Sequence, residues 1–405
     1  MLETPPMSLE LSVRARERTV FLLALGGFAS GANVRVMDTV LPQLADEFGV
    51  AVGLAAQTVT AYALGYGGMQ ILLGIAGDRF GKFRLVTLLC FASTLACLLA
   101  AAAGTLGQLT AARLLCGAAA SAIIPVSLAW VGDMAPFEER QPILARYASG
   151  GILGMVTGQI IGGLATEYWD WRAALVIVAL VYLAAGIGML REARLNPLVT
   201  ARPLAEGLRL PPLAAIAAML GRPWSRVVLV SVFLEGVTVY AAVTFVGIDL
   251  KERFAANYGL IGLMLAFFAV GGMLFTLGMR ERMRTMSARQ LIATGAASSG
   301  MGMILFPLAP TIWLVPALMI AIGFGAYMLH NTLQTFATQL LPEARATGFS
   351  VFATLFFLSQ SLGVALGALM LGGTGAGTVF VTAALLLGAF GIWFATVAAR
   401  SIPTP

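Results

Sequence analysis

Twelve stretches of the chain are apolar over about 20 residues or more, enough for a helix to cross a hydrocarbon core of about 30 Å. They fall near 20–44, 53–76, 84–104, 108–132, 143–166, 172–190, 226–248, 259–279, 289–308, 311–338, 346–370 and 376–399. The runs are unbroken rather than alternating, which predicts helices and excludes barrel strands. Hydrophobic residues make up 59% of the sequence and charged residues 11%, at a mean hydropathy of +0.90. One soluble core cannot hide that much apolar surface, so the expected fold is an all-α membrane protein.

Basic residues set the orientation. The formal charge of +6 is carried mainly by arginine, with Lys82 and Lys251 the only lysines. The charges form no stripe of the kind that binds nucleic acid; they cluster between apolar runs on one side. With both termini cytoplasmic, about 20 of the 25 Lys and Arg fall in cytoplasmic segments. Only Arg172, Lys251 and Arg253 fall on the other face, while Arg35 and Arg113 lie within spans. That asymmetry places both ends in the cytoplasm of a multi-pass protein of the cell's inner, or plasma, membrane. The polar start, Met1 to Arg18, leads into an apolar run too long for a cleaved signal, which is expected to remain as the first span. Cys90, Cys97 and Cys116 all fall in apolar runs, so neither a disulfide framework nor a metal site is expected.

One loop is long. Residues 191–226 are rich in arginine and carry Pro197, Pro203, Pro211, Pro212 and Pro223. They divide the chain into a six-helix half at 1–190, a cytoplasmic loop at 191–225 and a second six-helix half at 226–405. An internal echo supports the division: Asp133-Met-Ala-Pro136-Phe-Glu-Glu-Arg140 after span 4 returns after span 10 as Gln339-Leu-Leu-Pro342-Glu-Ala-Arg345. Two pseudo-symmetric bundles with a site between them at mid-depth are a known plan for solute transport.

Between spans 2 and 3 runs Gly74-Ile-Ala-Gly-Asp78-Arg79-Phe-Gly81-Lys82-Phe-Arg84. Gly74 and Gly77 allow close helix approach, Asp78 can meet the N-terminus of another helix, and Gly81 permits a tight turn. Arg79, Lys82 and Arg84 hold the loop on the cytoplasmic side. A plain basic turn does not require so specific a pattern.

This loop resembles the hallmark of the major facilitator superfamily, and the resemblance covers the whole chain. Arg113, in Leu109-Thr-Ala-Ala-Arg113-Leu-Leu-Cys-Gly117, resembles the family's span-4 motif. Gly154-Met-Val-Thr-Gly158-Gln159-Ile-Ile-Gly162-Gly163 resembles the span-5 motif of the drug:proton antiporter branch, with Gln159 where proline is usual. The glycine face is intact and the kink is absent. Trp169-Asp-Trp171-Arg172 is similar to that branch's entry to span 6, while Gly278-Met-Arg280-Glu-Arg282-Met-Arg284 is a degenerate second copy of the hallmark loop, without the aspartate. The resemblance implies that Asp78 caps the start of span 11, near Ala346-Thr347-Gly348, as a latch when the cytoplasmic side is closed. It also implies a monomer with no cofactor.

Ionisable groups within spans are costly and are functional candidates by default. Arg35 and Asp38, three residues apart, can pair; they either fix packing, or Asp38 binds the coupling proton. Glu235, about 13 Å deep at 1.5 Å per residue, has no charged neighbour in its own helix. It is either a permanently protonated packing group or a proton site. Span 10 carries Tyr327, His330, Asn331 and Gln334, a polar cluster on an apolar helix that reads as a cavity wall, with His330 able to titrate near neutral pH. Arg113 either steers the proton or braces span 4 against span 1. Asn33, Tyr240, Gln159 and Gln360 complete the expected cavity, although packing explains the two glutamines equally well.

No phosphate-binding loop exists and a single histidine supports no catalytic triad, so an ATP-driven pump and an enzyme are both excluded. The leading expectation is a proton-coupled exporter of a small, partly apolar organic compound. A facilitator or exchanger for a small organic anion, using Arg35, Arg113 and His330, is the alternative. A non-transporting receptor is a third reading, against which the lack of any appended domain or long tail counts. The expected partners are therefore the substrate, protons and the lipid bilayer.

Overall fold

The computed structural model describes residues 13–134, 137–200, 212–278, 286–341 and 345–397, whose regular structure is helical throughout, with no strand among them. Among the described residues, eleven helical stretches are long and apolar enough to cross a membrane. The first helix, Val13–Arg35, completes the set of twelve. It falls short in apolarity because its first turns carry Arg14, Arg16, Glu17 and Arg18 and its last turns Asn33 and Arg35; Asn33 and Arg35 are buried within the protein.

Four spans expected to be continuous are broken, span 2 most slightly, into Val52–Ala55 and Gln57–Phe80. Span 1 ends at Arg35, turns through 36–40, and resumes as the short helix Leu41–Phe48, with Pro42 in its first turn. Asp38 therefore sits in a turn rather than in the helix that carries Arg35. Span 4 divides into Leu106–Ala120 and Ile123–Met134, and span 7 into Pro223–Val243 and Val246–Phe254. The remaining spans are Lys82–Ala101, Phe137–Tyr168, Trp171–Leu195, Tyr258–Gly278, Ala288–Leu305, Val315–Ala337, Arg345–Thr374 and Ala376–Val397. Within the long loop, Pro197–Thr200 forms a 3-10 turn held by Trp130 Nε1, which donates to Val199 O at 2.9 Å, and Pro212–Gly221 is helical. Arg18 pairs with Glu192, which also accepts from Asn196 Nδ2 at 2.5 Å, tying span 1 to the end of span 6.

Buried apolar side chains gather into two clusters. One is drawn from residues 20–199, joined by Phe245, Ile248, Val364 and Val379; the other is drawn from residues 219–394. Lipid offers helices no hydrophobic drive to associate, so small residues that let backbones touch carry the packing. Span 5 lies on span 1 through glycines four apart. A methyl at Gly150, Gly154, Gly158 or Gly162 would stand 2.9, 2.1, 2.4 or 2.3 Å from the carbonyl oxygen of Ala24, Phe28, Ala32 or Val36. Span 11 meets span 7 in the same manner, with Gly363 against Val237 O at 2.3 Å and Gly367 against Ala241 O at 2.9 Å. The expected antiporter motif is thus a helix-docking face, with Gly163 turned toward span 8.

The two groups of six spans touch unequally along their length. At the end away from the termini (the far end), a methyl at Gly53 would meet Ala368 O at 2.8 Å, and one at Gly262 would meet Gln159 O at 2.5 Å. Toward the terminal, near end, Gly67 still lies against Thr354 O and Leu358, each 3.0 Å from such a methyl, but Gly74 faces open space. The far end is closed and the near end is parted.

Candidate functional site

Among the described residues two buried ionic pairs stand out, one in each group of six spans. In the turn after span 1, Arg35 Nη1 stands 3.3 Å from Asp38 Oδ2, both side chains almost fully buried. The Arg35 guanidinium rests 4.3 Å above the ring of Tyr240 in span 7. Asp38 Oδ1 has no hydrogen-bond partner. A void of about 10 Å³, room for about one water, lies beside the pair, lined by Arg35, Tyr62, Tyr240, Thr244 and Gln360. Tyr62 OH, Thr244 Oγ1 and Gln360 Nε2 likewise lack partners.

The second pair joins helices far apart in sequence. Glu235 of span 7 lies 3.2 Å from His330 Nδ1 of span 10, with side chains 3% and 25% exposed. Glu235 was expected to stand alone, because only its own helix can be searched in a sequence; the partner is 95 residues away. The imidazole packs 4.3 Å from the ring of Phe356 in span 11, which meets Tyr240 edge-on at 5.7 Å. With Arg35 over its face and Phe356 at its edge, Tyr240 stands between the two pairs.

Arg113 is wholly buried and serves neither pair. It donates from Nη1 to Asn33 Oδ1 at 2.6 Å and from Nη2 to Asn33 O at 3.1 Å, and stacks 4.3 Å over Tyr62. Its contacts are the brace against the span 1 backbone rather than a salt bridge to Asp38. Asn33 Nδ2 in turn donates to Cys97 Sγ at 3.4 Å.

The polar cluster of span 10 divides. Asn331 and Gln334 line a near-end cavity of about 800 Å³ with Leu128, Phe275 and Phe349, whereas His330 turns to Glu235 and Tyr327 packs 6.1 Å from Phe268. Gln159 and Gln360 do not share a cavity. Gln159 is buried at the contact of spans 5 and 8, its Oε1 unpartnered, and Gln360 lines the small void.

In the hallmark loop, Gly81 adopts φ +99°, the turn its lack of a side chain allows. Lys82 pairs with Asp133, Arg79 lies 5.8 Å from the ring of Phe80, and Arg84 is exposed. The side chains of Asp78 and of Ala346 lie outside the described residues, as do residues 279–285 of the degenerate copy. Sequence reasoning passed over Tyr62 and Thr244; for Tyr62 the available signal was the Tyr62/Tyr66 pair, one turn apart on an apolar span.

At the far end, Asp170 caps span 6 by accepting from Arg172 N at 3.0 Å, while Arg172 Nη2 reaches Glu47 Oε1 at 2.7 Å. Trp171 Nε1 donates to the same carboxylate at 2.6 Å. The hydrogen bond from Arg172 is the main reason the Glu47 carboxyl is held below its usual range, burial opposing it.

The sequence model of the Major Facilitator Superfamily matches residues 23–364. Puromycin resistance protein pur8 of Streptomyces alboniger is 36% identical over 156 residues, 38% of this chain and 31% of that protein. The aligned stretch is thus about a third of the resistance protein's own length. A relative aligned over most of both chains is the provisionally named multidrug resistance protein MdtD of Cronobacter sakazakii, 23% identical over 88% of this chain and 86% of its own. Among solved structures, a bacterial homolog of the human lysosomal transporter Spinster, inward-facing and unoccupied, superposes with a TM-score of 0.75. It is 15% identical and covers 96% of this chain and 98% of its own, a likeness of fold alone.

Proposed function

This chain belongs to the Major Facilitator Superfamily, and on that footing we propose that it exports a small, partly apolar organic compound in exchange for protons, by alternating access. That it is a multi-pass membrane transporter and not an enzyme follows from the family. The finer reading adds two six-span halves (1–190 and 226–405, joined by 191–225), placement in the plasma membrane with both termini cytoplasmic, and a working monomer.

The observation that carries the reading is the Glu235–His330 pair. A carboxylate 3% exposed at membrane depth cannot stay charged and unpartnered without a cost of several kcal/mol. Its charge is met by the imidazolium or removed by a proton of its own. A step that takes His330 away as the imidazolium, its proton kept, leaves the buried Glu235 to take up one proton, and that uptake ties proton count to conformation. His330, 25% exposed, is the member with access to water in the near-end-open state. Asp38, sealed beneath the far-end closure, is positioned to exchange when that end opens. Phe349 and Phe275 give the cavity wall the apolar character that suits an organic substrate, and Asn331 and Gln334 supply its polar contacts.

The names of the relatives accord with export: puromycin resistance and multidrug resistance are attributes of those proteins. The anion alternative has less support, because Arg113 is spent on Asn33 and Arg35 on Asp38 and Tyr240.

The test is transport in proteoliposomes under an imposed pH gradient, with ethidium and puromycin as probes after a growth-inhibition screen in an efflux-deficient host. Uptake into inside-acidic vesicles that collapses with the gradient is expected. Gradient-independent movement of either probe would refute proton coupling and leave transport standing.

A further inference from the structure

The far end is closed by a carboxylate that the transport chemistry does not use. Glu167, in the last turn of span 5, accepts a hydrogen bond on Oε2 from Tyr258 N at 2.8 Å. Tyr258 is the first residue of span 8, so this N–H is one of those a helix leaves without an internal partner. A negative charge placed there also meets the positive end of the helix dipole. Asn257, the residue before span 8, caps the same turn, its Oδ1 accepting from Leu260 N at 2.8 Å, and Lys251 Nζ lies 4.3 Å over the Tyr258 ring. One turn deeper the two backbones touch. A methyl on Gly163 would stand 2.4 Å from Tyr258 O, and one on Gly262 would stand 2.5 Å from Gln159 O.

We propose that Glu167 is a positioning residue of the transport cycle: a far-end latch that caps span 8 from the opposite six-span group and holds the near-end-open state. Four features bear on it together. The contact crosses between the groups, it uses an otherwise orphan donor, it is charge-assisted, and the glycine pair beneath it allows the approach only when the far end is shut. When that end opens, Tyr258 N is left to water and the carboxylate is solvated, so the latch costs little to release and sets a modest bias. The latch rests on alternating access but not on proton coupling.

Distance measurement by electron spin resonance tests this on the full-length protein in lipid nanodiscs. Labels go at Ala102→Cys and Leu308→Cys, exposed far-end loop positions on the two groups; the native cysteines are buried. Glu167→Ala is expected to raise the ratio of long to short distances roughly threefold to tenfold, the scale of one charge-assisted cap. Glu167→Gln, whose amide oxygen still accepts from Tyr258 N, should shift it less. Gly262→Ala, which blocks the contact beneath, should push the same way; if Glu167→Ala does not fold, a Glu167→Gln shift above that of Glu252→Ala decides the matter, and none overturns the proposal. Glu252→Ala, which removes another exposed far-end carboxylate, is the control. A Glu167→Ala distribution like wild type, or a shift no larger than that of Glu252→Ala, overturns the proposal.

Discussion

In the first six spans the buried charges sit in the turn where span 1 unwinds, with Arg35 3.3 Å from Asp38. In the last six they sit mid-helix, with Glu235 of span 7 at 3.2 Å from His330 of span 10. The frames around these pairs are nearly interchangeable. Span 5 docks on span 1 as span 11 docks on span 7, through glycines against carbonyl oxygens. Spans 2 and 4 touch through Gly65 and Gly117, and spans 8 and 10 through Gly271 and Gly323, each with a methyl position 1.8–2.2 Å from a facing carbonyl oxygen. The packing repeats while the ionic chemistry does not. One group holds a guanidinium locked to its acid within one turn; the other holds an acid facing an imidazole from a distant helix.

The largest expected effect strikes at that difference. Glu235→Gln removes the group whose charge must be met, and gradient-driven transport in proteoliposomes should fall by about two orders of magnitude, the scale of losing a buried charged partner. Retention of full gradient dependence in this variant would show that the coupling site lies elsewhere, with Asp38→Asn the next variant to test.

The likeness of the frames is tested next. Gly158→Leu and Gly363→Leu put a branched side chain where 2.4 Å and 2.3 Å separate a bare methyl from a carbonyl oxygen. Each should destabilise by about 3 kcal/mol or more through overpacking, seen as a lowered midpoint in thermal unfolding of the purified protein. If one site tolerates leucine and the other does not, the frames are not equivalent.

Arg113→Lys probes a feature particular to the first group. A lysine cannot reproduce the forked grip on Asn33 or the stacking over Tyr62, and a loss of about 2 kcal/mol in stability is expected. The same assay checks it, and a shift near zero would mean that span 4 needs no such brace.

The smallest effect is at the far-end surface. Glu47 has its carboxyl held low by Arg172, so the contribution of the pair is present above the ordinary glutamate range and is lost as pH falls through the lowered value. With both side chains about a third exposed, the pair is worth about 0.5 kcal/mol. Arg172→Gln should lower the thermal midpoint slightly at pH 7, and by less as pH falls through the lowered Glu47 value.

Much of the frame could be read from residues alone. Apolar length set the number of spans, since a bilayer admits few alternatives, and the glycine spacing at 154, 158 and 162 announced a close helix contact without naming the partner. The breaks were harder to see. Pro42 and Pro125 lie just beyond the interruptions in spans 1 and 4 and were the available signals, but the break at Thr244 has no proline, and Gly247 just beyond it is a weaker sign. The site was legible in its membership and not in its pairings. Asp38, Glu235, His330 and Arg113 stand out as charges in apolar runs, yet which charge meets which depends on helices that approach only in three dimensions. Glu167, a single charge at a span end, carries no mark in the sequence of the helix it caps.

The glycine ladder between spans 1 and 5 also bears on how the molecule can move. Its rungs recur every four residues, so span 5 cannot slide along span 1 by a small amount; the next register lies about 6 Å away, four residues at 1.5 Å each. The contact behaves like a toothed rack, engaged or displaced by a whole tooth. On the alternating-access reading proposed above, motion falls instead to the seams between spans 2 and 11 and between spans 5 and 8, which come apart rather than slide.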